Sequence, residues 1–190
     1  RVGYEGLTWQ TESILLKNKP MYVDLSAIAK GYAVDKVAKL LEENGYSRYL
    51  VEIGGELKAG EPKAPGKDWQ VAVEQPTAGQ RAIQKVIALK QNGIATSGDY
   101  RNYYEFEGQR YSHTINPKTG WPVDHSLASV SVLHESVAYA DAMATALMVL
   151  GVEKGIKITN TLQVAAYFIV KSDSGFDIKM SDAFVNYINP

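Results

Sequence analysis

The sequence predicts an α+β fold with a mixed, largely antiparallel sheet and packed helices. Strand-like segments outnumber helical ones, and NYYEFEGQRYSHTI alternates around Glu107-Gly108-Gln109 as a β-hairpin does. Strands and helices do not alternate regularly, so a βαβ succession is not indicated. The chain has 190 residues, 45% hydrophobic and 22% charged, which is enough for one sizeable core. We therefore expect a single domain.

Short apolar runs bounded by turn residues predict the strands. In chain order they are SILLK, MYVDL, RYLVEIGGE, WQVAVEQ, KVIALK, GIATSG, the hairpin above, ASVSVL, QVAAYFIV, and one or two strands within FDIKMSDAFVNYI. NPKTGWPV contains two prolines and one glycine in eight residues, so it predicts a loop.

A first helix is predicted by an apolar stripe at positions i, i+3, i+4 and i+7. The stripe consists of Val34, Val37, Ala38 and Leu41. Ser26 opens this pattern, either Asp24 or Ser26 can cap the helix start, and Gly45 follows its end. A second helix is predicted over residues 136–150, ended by Gly151, and a short third one near residues 152–159.

Charge and composition exclude several functional classes. The formal net charge of -1 gives no electrostatic case for nucleic acid or an anionic membrane, so we expect no nucleic-acid partner. The absence of cysteine excludes disulfides, thiolate metal sites and a cysteine nucleophile. No stretch approaches the roughly 18 apolar residues of a membrane-spanning helix.

Asp141 is an isolated carboxylate in the alanine-rich second helix. Thr145 lies four residues later, so the two side chains are neighbours on one helix face. A carboxylate beside a hydroxyl is a hard oxygen pair of the kind that Mg²⁺ binds, with its other positions left to phosphate and water. Alternatively, Asp141 caps a kink or pairs with a basic residue, while Thr145 bonds back to its own helix.

The segment VDLSAIAKGYAV indicates a phosphate site. In it a strand is predicted to end at Asp24 and a helix to begin within a few residues, and free N–H groups at a helix N-terminus favour anions. Lys30 lies in the early turns and can reach the same anion, while Gly31 keeps the surface small. The alternative is that Lys30 is only solvated.

His113 lies where the predicted hairpin leads into the loop. Histidine can act as a general base near neutral pH, but a strand histidine is more often a neutral, hydrogen-bonded residue. The spacing of the three histidines matches no zinc site. The segments IATSGD and EIGGE place glycine beside hydroxyl or carboxylate side chains, and they either line a cleft or form turns.

Five segments together resemble the ApbE family, the FAD:protein FMN transferases once described as thiamine-biosynthesis lipoproteins. In order they are DLSAIAKGYAVD, VEIGGE, GIATSGDY, YSHTINPKTGWPV and YADAMATAL. The resemblance runs from about Tyr22 to Gly151, and it is more specific than any single segment.

The resemblance implies an enzyme that binds FAD as a substrate together with Mg²⁺. Such proteins transfer FMN to a threonine or serine hydroxyl of a partner protein and release AMP. The implied metal ligands are the Ala27 backbone carbonyl, the Asp141 carboxylate and the Thr145 hydroxyl. The positions implied to contact FAD are Asp24, Lys30 and Ile115, and His113 matches the histidine proposed as the base for the acceptor hydroxyl.

The resemblance also sets expectations about context. Residues 1–190 would form the C-terminal portion of an ApbE-like domain, and the family's upstream segment, with its flavin contacts and lipoprotein signal, is expected to be absent from this chain. The implied location is periplasmic, with a lipid anchor, and the implied acceptors are flavoprotein subunits of membrane electron-transport complexes. Two other functions use the same residues: an Mg²⁺-dependent FAD pyrophosphatase, and a non-catalytic flavin-binding protein.

Overall fold

A six-stranded antiparallel sheet organises the fold. The computed structural model describes residues 3–77, 82–99 and 103–187. The helices are α1 (Ala29–Glu43), α2 (Val137–Leu150) and α3 (Val152–Leu162). The strands are β1 (Leu7–Thr11), β2 (Ile14–Lys17), β3 (Leu50–Ile53), β4 (Glu56–Ala59), β5 (Trp69–Glu74), β6 (Ile83–Leu89), β7 (Gly93–Gly98), β8 (Tyr103–Phe106), β9 (Gln109–Ser112), β10 (Leu127–His134), β11 (Ala165–Ser172) and β12 (Gly175–Met180).

The sheet order is β12-β11-β10-β7-β4-β3, and three hairpins, β1–β2, β5–β6 and β8–β9, form two-stranded sheets. Each strand pairing in the described ranges is antiparallel. The predicted α+β class with a largely antiparallel sheet is therefore confirmed, and so are the hairpin at Glu107-Gly108 and the second helix.

The central sheet is covered on both faces, which explains why β11 is almost uniformly apolar. Ala166, Phe168 and Val170 face a core formed with the three helices, whereas Tyr167 and Ile169 face a second core. The second core is closed by the β5–β6 hairpin and a 3-10 helix at Asp182–Tyr187. Within the described ranges, no helix combines the length and the apolar character needed to cross a bilayer.

Several predicted elements differ in the structure. MYVDL is not a strand, and RYLVEIGGE is two strands joined by a turn at Gly54 and Gly55, which have φ of 60° and 101°. Such positive φ angles suit glycine, so the glycine pair was the signal for this hairpin. The third helix continues to Leu162, where Gln163 ends it in a left-handed conformation.

The first helix begins at Ala29, three residues later than the predicted opening at Ser26. Asp24 instead supports a turn before the helix, because its Oδ1 accepts the Ser26 N–H at 2.6 Å. The Leu25 carbonyl then accepts the N–H groups of both Ile28 and Ala29 at 3.0 Å. Neither predicted cap is therefore the N-cap; that residue is Ile28, and it makes no side-chain capping bond.

Asp35 of α1 caps α2 from outside that helix. Its carboxylate accepts the Ser136 hydroxyl at 2.9 Å and the N–H groups of Val137 and Ala138 at 3.1 and 3.0 Å. Lys58 of β4 pairs with the same carboxylate at 3.1 Å. The first N–H groups of α2 would otherwise lack acceptors. Asp35 therefore fixes the start of α2 against α1.

Substituting Asp35 should lower stability in a pH-dependent way. Burial favours the neutral form of Asp35, but the bonds from Ala138, Val137, Ser136 and Lys58 outweigh it and hold the pKa below the usual value. The stabilisation is therefore present above the unfolded-state pKa of about 3.9 and is lost as pH falls through the lower folded-state pKa. We expect Asp35→Ala to cost about 2 kcal/mol of unfolding free energy at pH 7.

Urea denaturation from pH 7 down to pH 3 measures this effect. The difference between the unaltered chain and the variant should shrink below about pH 4. Asp173→Ala, in the exposed turn between β11 and β12, is the matched control and should change little. A difference that does not depend on pH would contradict the capping role of the charged carboxylate.

Candidate functional site

Asp141 of α2 accepts a backbone hydrogen bond from α1. Its Oδ2 lies 2.9 Å from the Gly31 nitrogen, and the residue is only 4% exposed. Helix α1 can approach this closely because a Cβ on Gly31 would lie 2.6 Å from the Val137 carbonyl carbon and 2.8 Å from the Ala138 nitrogen. The isolated carboxylate is thus partnered by a main-chain N–H. This bond is neither of the alternatives that the sequence offered, a kink cap or a pairing with a basic side chain.

This bond changes what is available at the start of α1. In a helix that began one turn earlier, the Gly31 N–H would bond to the carbonyl of Ala27, four residues before it. Because Gly31 donates to Asp141 instead, the Ala27 carbonyl keeps its lone pairs for another group. Ala27 lies in the turn directly before α1.

The backbone of α1 offers an anion fewer donors than the sequence predicts. Three of its first four N–H groups already have protein acceptors: Ala29 donates to Leu25, Gly31 to Asp141 and Tyr32 to Ile28. The charge available to a phosphate at this helix end is therefore mainly that of the Lys30 side chain.

Lys30 is paired with a buried carboxylate. Its Nζ lies 2.7 Å from Oε1 of Glu56, the first residue of β4. The Lys30 side chain is 45% exposed, whereas that of Glu56 is 2% exposed. The β3–β4 turn packs against this lysine, since a Cβ on Gly54 would lie 3.0 Å from Lys30 Cδ. Lys30 is thus restrained at one end and open to solvent along its length.

The two carboxylates next to Lys30 are harder to ionise than ordinary ones. Burial raises the pKa of Asp141, and the Gly31 hydrogen bond and the Lys30 charge only partly offset it. Burial also raises the pKa of Glu56; Lys30 opposes this rise and the Asp141 charge adds to it. Two carboxylates and one ammonium group leave a negative excess when all are charged, which favours a further cation.

Thr145, one turn beyond Asp141, faces the sheet. Its Oγ1 lies 3.1 Å from Ser97 Oγ at the end of β7. The structure therefore directs the hydroxyl towards β7, and not only along its own helix as one alternative held. Ser97 comes from the segment IATSGD, which the sequence placed either in a cleft or in a turn.

The remaining predicted site residues lie on two other segments. Asp24 is exposed in the stretch that precedes α1, where its hydrogen bond to Ser26 holds its pKa below the usual value. His113 is exposed and follows the last residue of β9, so it begins the loop and does not lie in the strand. Ile115 pairs with Pro122 in an isolated bridge that closes this loop, and it is 48% exposed.

A large cleft lies elsewhere and contains none of the predicted site residues. It has a volume of about 1090 Å³ and is lined by groups that include Asn92, His134 and Tyr187. Asn92 precedes the first residue of β7 and Ser97 is near its last, a separation of about 17 Å along a strand. We therefore place the chemistry at the Asp141 cluster, where buried charged groups meet, and not at the larger opening.

Sequence reasoning missed three members of the cluster: Glu56, Ser97 and the Gly31 N–H. For Glu56 and Ser97 the only signal was their position beside glycines in EIGGE and IATSGD. For Gly31 the signal was a glycine in the first turns of a helix, where only a close approach of another element explains the missing side chain.

Comparisons with known proteins identify the family of this chain. The ApbE family model matches residues 1–168. A relative from Haemophilus influenzae, named FAD:protein FMN transferase, is 46% identical over 188 residues, which are 96% of this chain and 54% of that protein.

Two solved structures share the fold. Flavin transferase ApbE from Vibrio cholerae is 43% identical with a TM-score of 0.87, and the match covers 97% of this chain and 59% of that one. Pseudomonas stutzeri flavinyl transferase ApbE is 41% identical with a TM-score of 0.86, covering 99% and 58%. The chain spans about half the length of the curated relatives it matches.

Variants of Asp141 should separate its structural bond from its charge. Asp141→Ala leaves the buried Gly31 N–H without its acceptor, which costs about 1–3 kcal/mol of unfolding free energy. Asp141→Asn keeps an oxygen that can accept this bond, so most of the stability should remain. Urea denaturation with a chelator present measures both, and Asp177→Ala on the exposed side of β12 is the control. Equal losses in the two Asp141 variants would show that the hydrogen bond does not matter.

Proposed function

The chain belongs to the ApbE family, and from this premise we propose that it takes part in transferring FMN from FAD to a threonine or serine hydroxyl of a partner flavoprotein. The FAD pyrophosphate would break and AMP would leave. The observation that supports this most is the meeting of Lys30, Glu56 and Asp141 where α1 touches α2. That cluster combines oxygen ligands with a cation beside an open surface.

The cluster fits Mg²⁺ as the metal. Mg²⁺ prefers oxygen ligands, commonly one or two carboxylates from the protein, with water and substrate phosphates in its other positions. Asp141 and Thr145, one turn apart on α2, supply a carboxylate and a hydroxyl oxygen. The third oxygen that the family resemblance implies is the Ala27 carbonyl, in the turn before α1. Among the described residues, no group of three or more His, Cys, Asp or Glu side chains forms a separate metal site. We propose these three oxygens as the ligands.

When bound, Mg²⁺ would neutralise negative charge on the pyrophosphate and on the departing AMP. Lys30 binds a phosphate oxygen from the other side, and its fixed charge stabilises the transition state because it needs no reorganisation. Glu56 and the Gly54 turn restrain its side chain. Asp24 and Ile115 are proposed to contact FAD outside the cluster.

His113 is proposed as the base that takes the proton of the acceptor hydroxyl. It is exposed at the start of the loop that follows β9, where a partner protein can reach it. The loop is held by backbone bonds from Val123 to Thr114 and from Asn116 to Trp121, at 2.9 Å each. A stiff loop keeps the imidazole in a fixed place, which proton transfer requires.

We propose the family's location and partners as well. These are the periplasm, with attachment to the membrane by a lipid anchor, and acceptor flavoprotein subunits of membrane electron-transport complexes. The exposed position of His113 is compatible with a protein acceptor.

Incubation with FAD, Mg²⁺ and a purified acceptor subunit tests the activity. Transfer predicts that intact-mass analysis shows the acceptor gaining one FMN less one water, with an equal amount of AMP released. AMP and free FMN without acceptor labelling would identify a pyrophosphatase, in which water replaces the acceptor hydroxyl. FAD binding without AMP release would identify a flavin-binding protein and contradict the proposed transfer.

His113→Ala should slow transfer strongly while leaving FAD affinity within a few-fold. A positioned base contributes typically about 10²–10⁴-fold, and FAD binding does not need it. Single-turnover rates at saturating FAD, from about pH 6 to pH 9, bracket the ordinary pKa of histidine. Partial recovery of the variant at high pH supports proton abstraction. An unchanged rate would remove His113 from the mechanism, whereas lost FAD affinity would assign it a structural role.

A further inference from the structure

We propose that Glu56 is a positioning residue for Lys30, holding its ammonium group where the FAD pyrophosphate binds and away from Asp141. The inference rests on the proposed function. Glu56 would not touch the substrate itself, and it would act only through the lysine.

The contact between the two side chains is short, and only the glutamate is buried. Lys30 Nζ lies 2.7 Å from Glu56 Oε1, and Glu56 as a whole is 1% exposed while the lysine reaches into solvent. A charge-assisted bond of this length restricts a long, flexible side chain. The Gly54 backbone lies close to the same lysine, because a Cβ added there would be 3.0 Å from Lys30 Cδ. The end of Lys30 is therefore held by β4, and its stem by the β3–β4 turn.

The burial of Glu56 is poorly explained by stability alone. Burying a carboxylate costs free energy, and its pairing with a half-exposed lysine offsets that cost only in part. Glu56 Oε2 is also buried without a hydrogen-bond partner among the described residues. The carboxylate lies near Asp141, a second negative group, which increases the cost. A costly group at a reaction site is most readily explained by what it does to its neighbour.

Asp141 is a second carboxylate that can attract the Lys30 ammonium group, and the contact with Glu56 prevents this. The Lys30 charge already acts on Asp141 from its present position. Without Glu56, the ammonium group can turn to Asp141, whose carboxylate is proposed for the cation. The lysine would then be lost to the phosphate, and Asp141 would be partly neutralised.

A double-mutant cycle on FAD affinity tests this, because removing Glu56 has opposite effects through its two possible actions. Through its negative charge Glu56 repels the pyrophosphate, and loss of this effect in Glu56→Ala would tighten FAD binding. Through its contact with Lys30 it holds the ammonium group where the pyrophosphate binds, and loss of this effect in Glu56→Ala would weaken FAD binding. If positioning dominates, Glu56→Ala weakens FAD about tenfold in the presence of Lys30. In the Lys30→Ala background the same change should leave affinity unchanged or a few-fold tighter.

The measurement is calorimetric titration of the chain with FAD and, in parallel, with riboflavin, in the presence of Mg²⁺. Riboflavin lacks the pyrophosphate, so its affinity should not respond to Glu56. Glu56→Gln keeps the shape and an acceptor oxygen, so it should lose less FAD affinity than Glu56→Ala. The matched control is the exposed pair Lys39–Glu43 on α1, with atoms 3.7 Å apart, where Glu43→Ala should have no effect.

Each other pattern overturns the inference. A tightening of FAD in both backgrounds would mean that Glu56 acts only as a charge. A weakening in both, accompanied by weaker riboflavin binding, would mean that it acts through the fold. If the unaltered chain binds FAD no better than riboflavin and Lys30→Ala changes nothing, the proposed phosphate site itself fails, and the inference fails with it. If Lys30→Ala weakens FAD binding but the double-mutant cycle shows no coupling between Glu56 and Lys30, the inference about Glu56 fails while the phosphate site stands.

Discussion

The close approach of α1 to α2 at Gly31 is the constraint on which the site depends. A side chain at this position would collide with the backbone of Val137 and Ala138, so the two helices could not touch there. Contact allows Asp141 to accept the Gly31 N–H, and it brings Lys30, the neighbour of Gly31, close enough for its charge to act on Asp141. One missing side chain thus determines the relative positions of the proposed metal ligands and the proposed phosphate ligand.

The same two helices are joined by a second carboxylate, with the opposite electrostatic character. Asp35 receives several donors from the start of α2, so its negative charge is stabilised. Asp141 and Glu56 are buried with fewer donors, and their negative charge is disfavoured. Asp35 is therefore a structural group, while the other two retain an unmet demand for positive charge. Asp35 therefore marks the part of the α1–α2 contact that stabilises the fold, and Asp141 and Glu56 mark the part that is suited to binding.

Much of the fold follows from local pattern in the sequence. The alternation around Glu107-Gly108 and the continuous apolar run of β11 predicted elements that the structure confirms. The start of α1 was wrong because Ser26 is a good capping residue in isolation, yet it lies in a turn with Asp24, and the helix begins only after Ile28. One strand was predicted to run into the glycine pair of EIGGE, with a cleft or a turn left open there, and the two positive φ angles make it a turn that leads into a second strand. Rules that consider a short stretch of sequence do not include the competition between alternative hydrogen bonds and backbone conformations that decides such cases.

The cluster could be predicted only in part, because its members come from four distant stretches of chain. Spacing supplied the neighbours Asp141 and Thr145, and the predicted helix start supplied Lys30, whereas Ala27 came only from the resemblance to a family. Glu56 reaches Lys30 across 26 positions, and Gly31 reaches Asp141 across 110. No periodicity records such contacts. They arise from the packing of α1 on α2 and on the β3–β4 hairpin.

The most direct test of the site is a crystal structure of the chain grown with FAD and Mn²⁺, which replaces Mg²⁺ at oxygen ligands and gives an anomalous signal. The account predicts an anomalous peak bound by Asp141, Thr145 and the Ala27 carbonyl, with the pyrophosphate against Lys30. A peak in the cleft lined by Asn92 and His134, or FAD bound away from Lys30, would contradict it.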